Sequence, residues 1–144
     1  MKVENVDCVD SININPNRKP MVVTLIKLST LYACPGFLQC VGFVQAGTAL
    51  VNGSPLSIDQ HAINYATKIP DGYAFIENFS GVNIKVDDLP IWDYDTYGHI
   101  AYVLNAYSNH VFQVAEANAP KDGYVGISFK TTDSPNFIGF LRRQ

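Results

Sequence analysis

The sequence predicts an α+β domain in which N-terminal helices pack on one face of an antiparallel β-sheet. Three observations point there. Between Met21 and Ile69, apolar residues recur at helical spacing, whereas from Gly72 onward short aromatic and β-branched runs alternate with Gly, Pro, Asn and Asp. Helices first and strands afterwards is the α+β order. The chain has 144 residues, with 47% hydrophobic and 16% charged, enough to bury the core such a layered domain needs.

In order, residues Met1 to Pro20 are polar, Asn-rich and bracketed by Pro16 and Pro20, and read as a loosely ordered arm. Met21 to Gln144 forms the domain. A first helix is expected over Met21 to Tyr32, with Val22, Leu25, Ile26, Leu28 and Leu31 as its apolar positions, before Pro35–Gly36 breaks it. A second helix carries Val41, Val44, Thr48 and Val51 on one side, with Asn52–Gly53 as its stop. "SIDQHAINYATKI" reads as a third, with Ser57 as N-cap and Gln60 completing a capping box. The expected strands are "YAFIEN", "VNIKV", "LPIWDY", "HIAYVLNAY", "VFQVAEAN", "YVGISFK" and "FIGFLRR".

Composition excludes several classes. The formal net charge is −3, and the only basic groupings are "NRK" and the terminal "RR", which argues against a nucleic-acid surface. No segment is long and apolar enough to span a bilayer. "MVVTLIKLSTLYACPGF" carries Lys27 in its middle behind an acidic leader, so it reads as an amphipathic helix of the domain and not as a signal peptide. Three cysteines, Cys8, Cys34 and Cys40, lack CxxC spacing and a matching His pair, so structural zinc is not expected.

The run "YGHIAYVLNAYSNHVFQVAEAN" reads as a hairpin with polar residues at its mouth. If Ser108–Asn109 is the turn, His99 faces Asn118 with Glu116 on the diagonal. If Tyr107–Ser108 is the turn, His99 faces Glu116 directly. Both registers put His99, Glu116 and Asn118 on one face. A turn centred on Asn109 would put His99 and Glu116 on opposite faces. An imidazole beside a carboxylate and a carboxamide is the arrangement that fixes a tautomer and stabilises imidazolium.

Such a base needs a group to activate, and Cys40 is the candidate. It sits where a loop becomes the first turn of a helix, where free N–H groups and the helix dipole favour a thiolate. The Cys40 amide and the Gln39 side chain offer donors for a developing oxyanion. His110 at the hairpin tip and His61 in the third helix lack this setting, as do Cys8 in the arm and Cys34 before Pro35. Each feature alone has an ordinary structural reading; their order along the chain is the specific signal.

At these residues the sequence resembles the CHAP family, the cysteine, histidine-dependent amidohydrolases/peptidases of the papain-like group. The matching stretches are "QCVGFVQ" at 39–45, "VDDLPIWDYDTYGHIAYV" at 86–103, "FQVAEAN" at 112–118 and the closing "FIGFLRR". The resemblance implies a papain-like fold, with Cys40 as nucleophile, His99 as general base, Glu116 orienting the imidazole, and Asn118 as a further polar member. It implies Gln39 with the Cys40 amide as oxyanion hole. Where the family has Gly before the Asp of a turn, this chain has Asp87 before Asp88.

The resemblance further implies hydrolysis of an amide bond in peptidoglycan, either a stem or cross-bridge peptide bond or the muramoyl–alanine amide, with no cofactor. The alternatives are an amidase on a small soluble amide and a catalytically silent structural module. "DYDTYG" at 93–98 spaces two aspartates as calcium sites do but lacks the later bidentate carboxylate, so it reads as a polar rim and no metal is expected. The expected route to the wall is synthesis in the cytoplasm and release by another agent, or trimming of a secreted precursor. Tyrosines and Trp92 are candidates for the groove, since aromatic faces stack on sugar rings, although core burial is the ordinary fate of most.

Overall fold

A computed structural model describes residues 40–57, 61–79, 82–107, 110–117 and 125–144. The arm over 1–20, the helix expected over 21–32, Cys8, Cys34, Gln39 and Asn118 lie outside the described residues. Helix α1 spans Cys40–Asn52. Its inner face carries Val41, Phe43, Val44, Gln45 and Thr48, all buried. Gly53 ends it with φ 83, the left-handed conformation that a glycine adopts without a Cβ clash. The Thr48 hydroxyl ties the helix to the chain beyond it, donating to the Gln45 carbonyl at 3.0 Å and accepting from the Leu56 N–H at 2.7 Å.

The third expected helix is a five-residue 3-10 helix, Ala62–Ala66, preceded by His61, whose side chain makes no cap hydrogen bond. Tertiary contacts explain the shortening. The Ile63 N–H donates to the Tyr97 carbonyl at 3.0 Å, and the Tyr65 hydroxyl reaches the Ser57 carbonyl. The Ser57 carbonyl thus accepts from a buried tyrosine, while Gln60 and the capping box expected of it lie outside the described residues.

Among the described residues, seven strands follow: β1 Tyr73–Glu77, β2 Leu89–Trp92, β3 His99–Ile100, β4 Tyr102–Ala106, β5 Val111–Ala117, β6 Val125–Thr131 and β7 Phe137–Arg143. They form a four-stranded sheet ordered β1-β7-β2-β3 and a three-stranded sheet ordered β4-β5-β6, with every pair antiparallel. "VNIKV", expected as a strand, is not one. Val82 and Ile84 are buried with strand-like alternation, but no ladder takes their backbone; the Val82 N–H bonds back to Phe79, and Arg142 Nη2 caps the Asn83 carbonyl at 2.9 Å.

"HIAYVLNAY", expected as one strand, divides at Ala101 between the two sheets. The Ala101 N–H still bonds to the Pro90 carbonyl at 3.2 Å and the Val103 N–H to Asp88 at 3.0 Å, so this run joins the sheets. Alternation along β2 sorts the core in two. Leu89 and Ile91 face a cluster with Val41, Val44 and Tyr65, whereas Trp92 faces one with Phe112, Val114, Phe137 and Phe140. Among the described residues, no helix is long and apolar enough to cross a membrane.

Candidate active site

Three segments deliver the site. Cys40 is the first residue of α1 and a free, partly buried thiol. His99 opens β3, where it lies opposite Trp92 of β2. Glu116 sits near the end of β5. The register explains how β5 meets β3. Tyr102↔Ala115 and Val103↔Val114 pair as a Ser108–Asn109 turn requires, whereas Asn105↔Gln113 and Ala106↔Phe112 pair as an Asn109-centred turn requires. A bulge at Leu104 converts one register into the other. The tip therefore has the register that would separate His99 from Glu116, and the bulge restores the one that unites them.

His99 Nε2 lies 2.8 Å from Glu116 Oε1. Cys40 stands close enough to the ring to favour its charged form. With Nε2 committed to the carboxylate, Nδ1 is the nitrogen left for the sulfur. Burial works against a charged His99, but the nearby Cys40 and the hydrogen bond to Glu116, with electrostatic attraction to both, outweigh it. The imidazole pKa is pushed up from 6.5 to about 9. His99 is therefore imidazolium at neutral pH.

Glu116 is 1% exposed, and a carboxylate so deeply buried must be neutralised where it lies. Burial raises its pKa; hydrogen bonds from His99 and Ser128, the nearby Lys130 ammonium and His99 charge overcome that and hold it below the ordinary 4.5. Ser128 Oγ donates to Oε2, and Lys130 Nζ stands 3.3 Å from the same oxygen. Neither residue emerged from the sequence. The signal was present in "YVGISFK", whose alternation is inverted: Ser128 and Lys130 are partly buried, while Phe129 is 65% exposed.

Around His99 the surface is aromatic. Trp92 is buried with its ring 5.6 Å from the imidazole, and Tyr94 lies 6.3 Å from it. Tyr97, well exposed, stands 4.5 Å from the His61 ring. Trp92 thus belongs to the core, and Tyr94 and Tyr97 to the surface beside His99. Asp93 and Asp95 are both exposed, and among the described residues no three His, Cys, Asp or Glu side chains converge as metal ligands. His110 lies at the hairpin tip with φ 65, away from this cluster. Chemically, a thiol, an imidazole and a carboxylate in series can store a proton on the ring and release it to a neighbour.

No protein-family model matches this sequence, and no curated protein matches it. Solved structures do resemble the fold. The wild-type endolysin LysIME-EF1 superposes with a TM-score of 0.60 at 18% identity, over 83% of this chain and 64% of its own. Ly7917 gives 0.58 at 9% identity, over 85% of this chain and 62% of its own. An N-acetylmuramoyl-L-alanine amidase from Staphylococcus aureus gives 0.55 at 14% identity, over 74% of this chain and 30% of its own. At these identities the likeness is one of fold, and this chain spans less than two thirds of each.

Proposed function

We propose that this chain is a cysteine hydrolase of amide bonds in peptidoglycan, built on the papain-like plan that the CHAP resemblance implies. The observation that carries the reading is the series Cys40–His99–Glu116, in which one imidazole lies 2.8 Å from a buried carboxylate and close to the thiol of the first residue of α1. The fold it shares with an endolysin and with a muramoyl-alanine amidase supports the choice of substrate.

In this mechanism the Cys40 thiolate attacks the scissile carbonyl while His99 holds the proton. The tetrahedral intermediate collapses as His99 protonates the leaving amine, leaving a thioester at Cys40. His99 then deprotonates water for attack on the thioester, and collapse of the second intermediate releases the acid and expels the Cys40 thiolate, restoring the thiolate–imidazolium pair. The Cys40 amide and Gln39 are the proposed oxyanion donors, and Asn118 a further polar member of the site.

The test is clearing of purified cell walls in a zymogram by the wild type, Cys40→Ala and Cys40→Ser, with mass spectrometry of released fragments to name the bond. Turnover should vanish in both variants with the fold intact, while Cys8→Ser and Cys34→Ser stay within a few-fold. Clearing that survives loss of Cys40 overturns the reading.

A further inference from the structure

Glu116 is held from two sides, and the thiolate mechanism uses only one. Oε1 meets His99, whereas Oε2 takes Ser128 Oγ and Lys130 Nζ, both from β6. The ladder shows how they reach it. Glu116 pairs with Gly126, which has no side chain, so Ser128, opposite Val114, reaches Oε2 along the diagonal. Lys130 is one pair further along, opposite Phe112, and its long stem runs back along the same face. On the way its ammonium lies 5.6 Å from the centre of the Trp92 ring, which itself packs against His99.

We propose that Lys130 is a positioning residue that keeps Glu116 charged and in place throughout the proton cycle of His99, with Ser128 fixing the same oxygen. The reason lies in the step where His99 changes charge. While His99 is imidazolium, it neutralises Glu116. Once its Nδ1 proton passes to the leaving amine, the ring is neutral and only its Nε2–H remains on Oε1. Without another cation, Glu116 would be a buried, unpaired carboxylate competing for the proton that belongs on the leaving group. Lys130 supplies that cation before and after the transfer, so the carboxylate stays acceptor-only and the proton goes outward.

Among the described residues, the titratable groups on this cluster are Cys40 from α1, Tyr94 from the loop after β2, His99 from β3, Glu116 from β5 and Lys130 from β6. Removing one positive charge from such a set makes every remaining proton bind more tightly. Lys130→Met should therefore move both limbs of the pH profile upward by about one unit, the lower end of the shift a close charge produces. Lys130→Arg should leave the profile in place, and Ser128→Ala should shift it upward by less. The turnover of Lys130→Met should fall about tenfold, the rate equivalent of one such unit.

This inference rests on the thiolate reading above, so its test is independent of wall hydrolysis. The rate of Cys40 alkylation by iodoacetamide, read by peptide mapping from pH 4 to 11, and the NMR titration of the His99 imidazole are measured on the full chain and the three variants. Upward shifts in Lys130→Met, with Lys130→Arg unmoved, support the role. If Lys130→Met does not fold, Lys130→Gln, equally uncharged, takes its place, with an upward shift supporting the role and unmoved midpoints overturning it. Unmoved midpoints in Lys130→Met overturn it, as does Lys130→Arg shifting as far as Lys130→Met. Absence of wall clearing by the wild type, with these shifts present, overturns the hydrolase reading and leaves Lys130 in its role.

Discussion

Asp87 and Glu116 show how much a single side chain decides. Asp87 has φ 73, left-handed backbone that costs a non-glycine residue about 1–2 kcal/mol. It stands where the resembled family has glycine, and the strain is offset by the Tyr102 hydroxyl, which donates to Asp87 Oδ1 at 2.7 Å. Glu116 matters through its charge. Glu116→Gln keeps the shape but removes what stabilises imidazolium, so kcat should fall by up to ~10⁴, as when comparable triads lose their acid. The His99 pKa should drop from about 9 in the same variant, because one of the partners that raise it is gone. Steady-state kinetics with a histidine NMR titration checks both. The loss should exceed that in Asn118→Ala, where a neutral amide is removed; equal losses would make Asn118 the direct partner.

At the scale of elements, the loop between β2 and β3 places His99 and leaves no room for error. Gly98 has φ 72, and a Cβ there would stand 2.9 Å from both the Trp92 carbonyl oxygen and Ile63 Cβ. Backbone and the 3-10 helix thus close on it from two sides. Gly98→Ala should lower stability by about 2 kcal/mol, from left-handed strain together with the clash. Because His99 is the next residue, activity should fall more than the stability loss accounts for. Urea unfolding beside kcat at a temperature where the variant is folded separates the two effects; full activity would show that the loop gives way without moving β3.

Across the whole molecule, Asp88 and Arg142 bind the start of β2 to β7 through Nε at 2.9 Å and Nη2 at 2.7 Å, while Asp88 also accepts from the Lys85 N–H at 2.7 Å. Both sheets and both core clusters are joined near this pair and the His99–Ala106 run, so charge at the site is linked to global stability. Below pH 6.5 the raised pKa of His99 contributes its full stabilisation, which is lost as pH rises through about 9. Glu116, whose pKa is lowered, contributes fully above 4.5 and loses its contribution as pH falls further. The pair therefore stabilises most between about pH 4.5 and 6.5. Denaturant midpoints should decline between pH 6.5 and 9, and His99→Gln should flatten that decline; an unchanged slope in the variant would place its origin elsewhere.

The sequence alone determined the α+β order, α1 with its glycine stop, and six of the seven expected strand segments, because local periodicity and turn chemistry suffice for these. It also singled out Cys40, His99 and Glu116, since their residue types and order carry chemical meaning without coordinates. The tertiary structure decided what depends on distant partners. A bulge at Leu104 settled the face that His99 and Glu116 share, and no turn signal encodes a bulge. "VNIKV" has the alternation of a strand and forms none, because a ladder requires a neighbouring edge. Ser128 and Lys130 joined the site from β6 because antiparallel register, a pairing between segments, brought them to the far oxygen of Glu116.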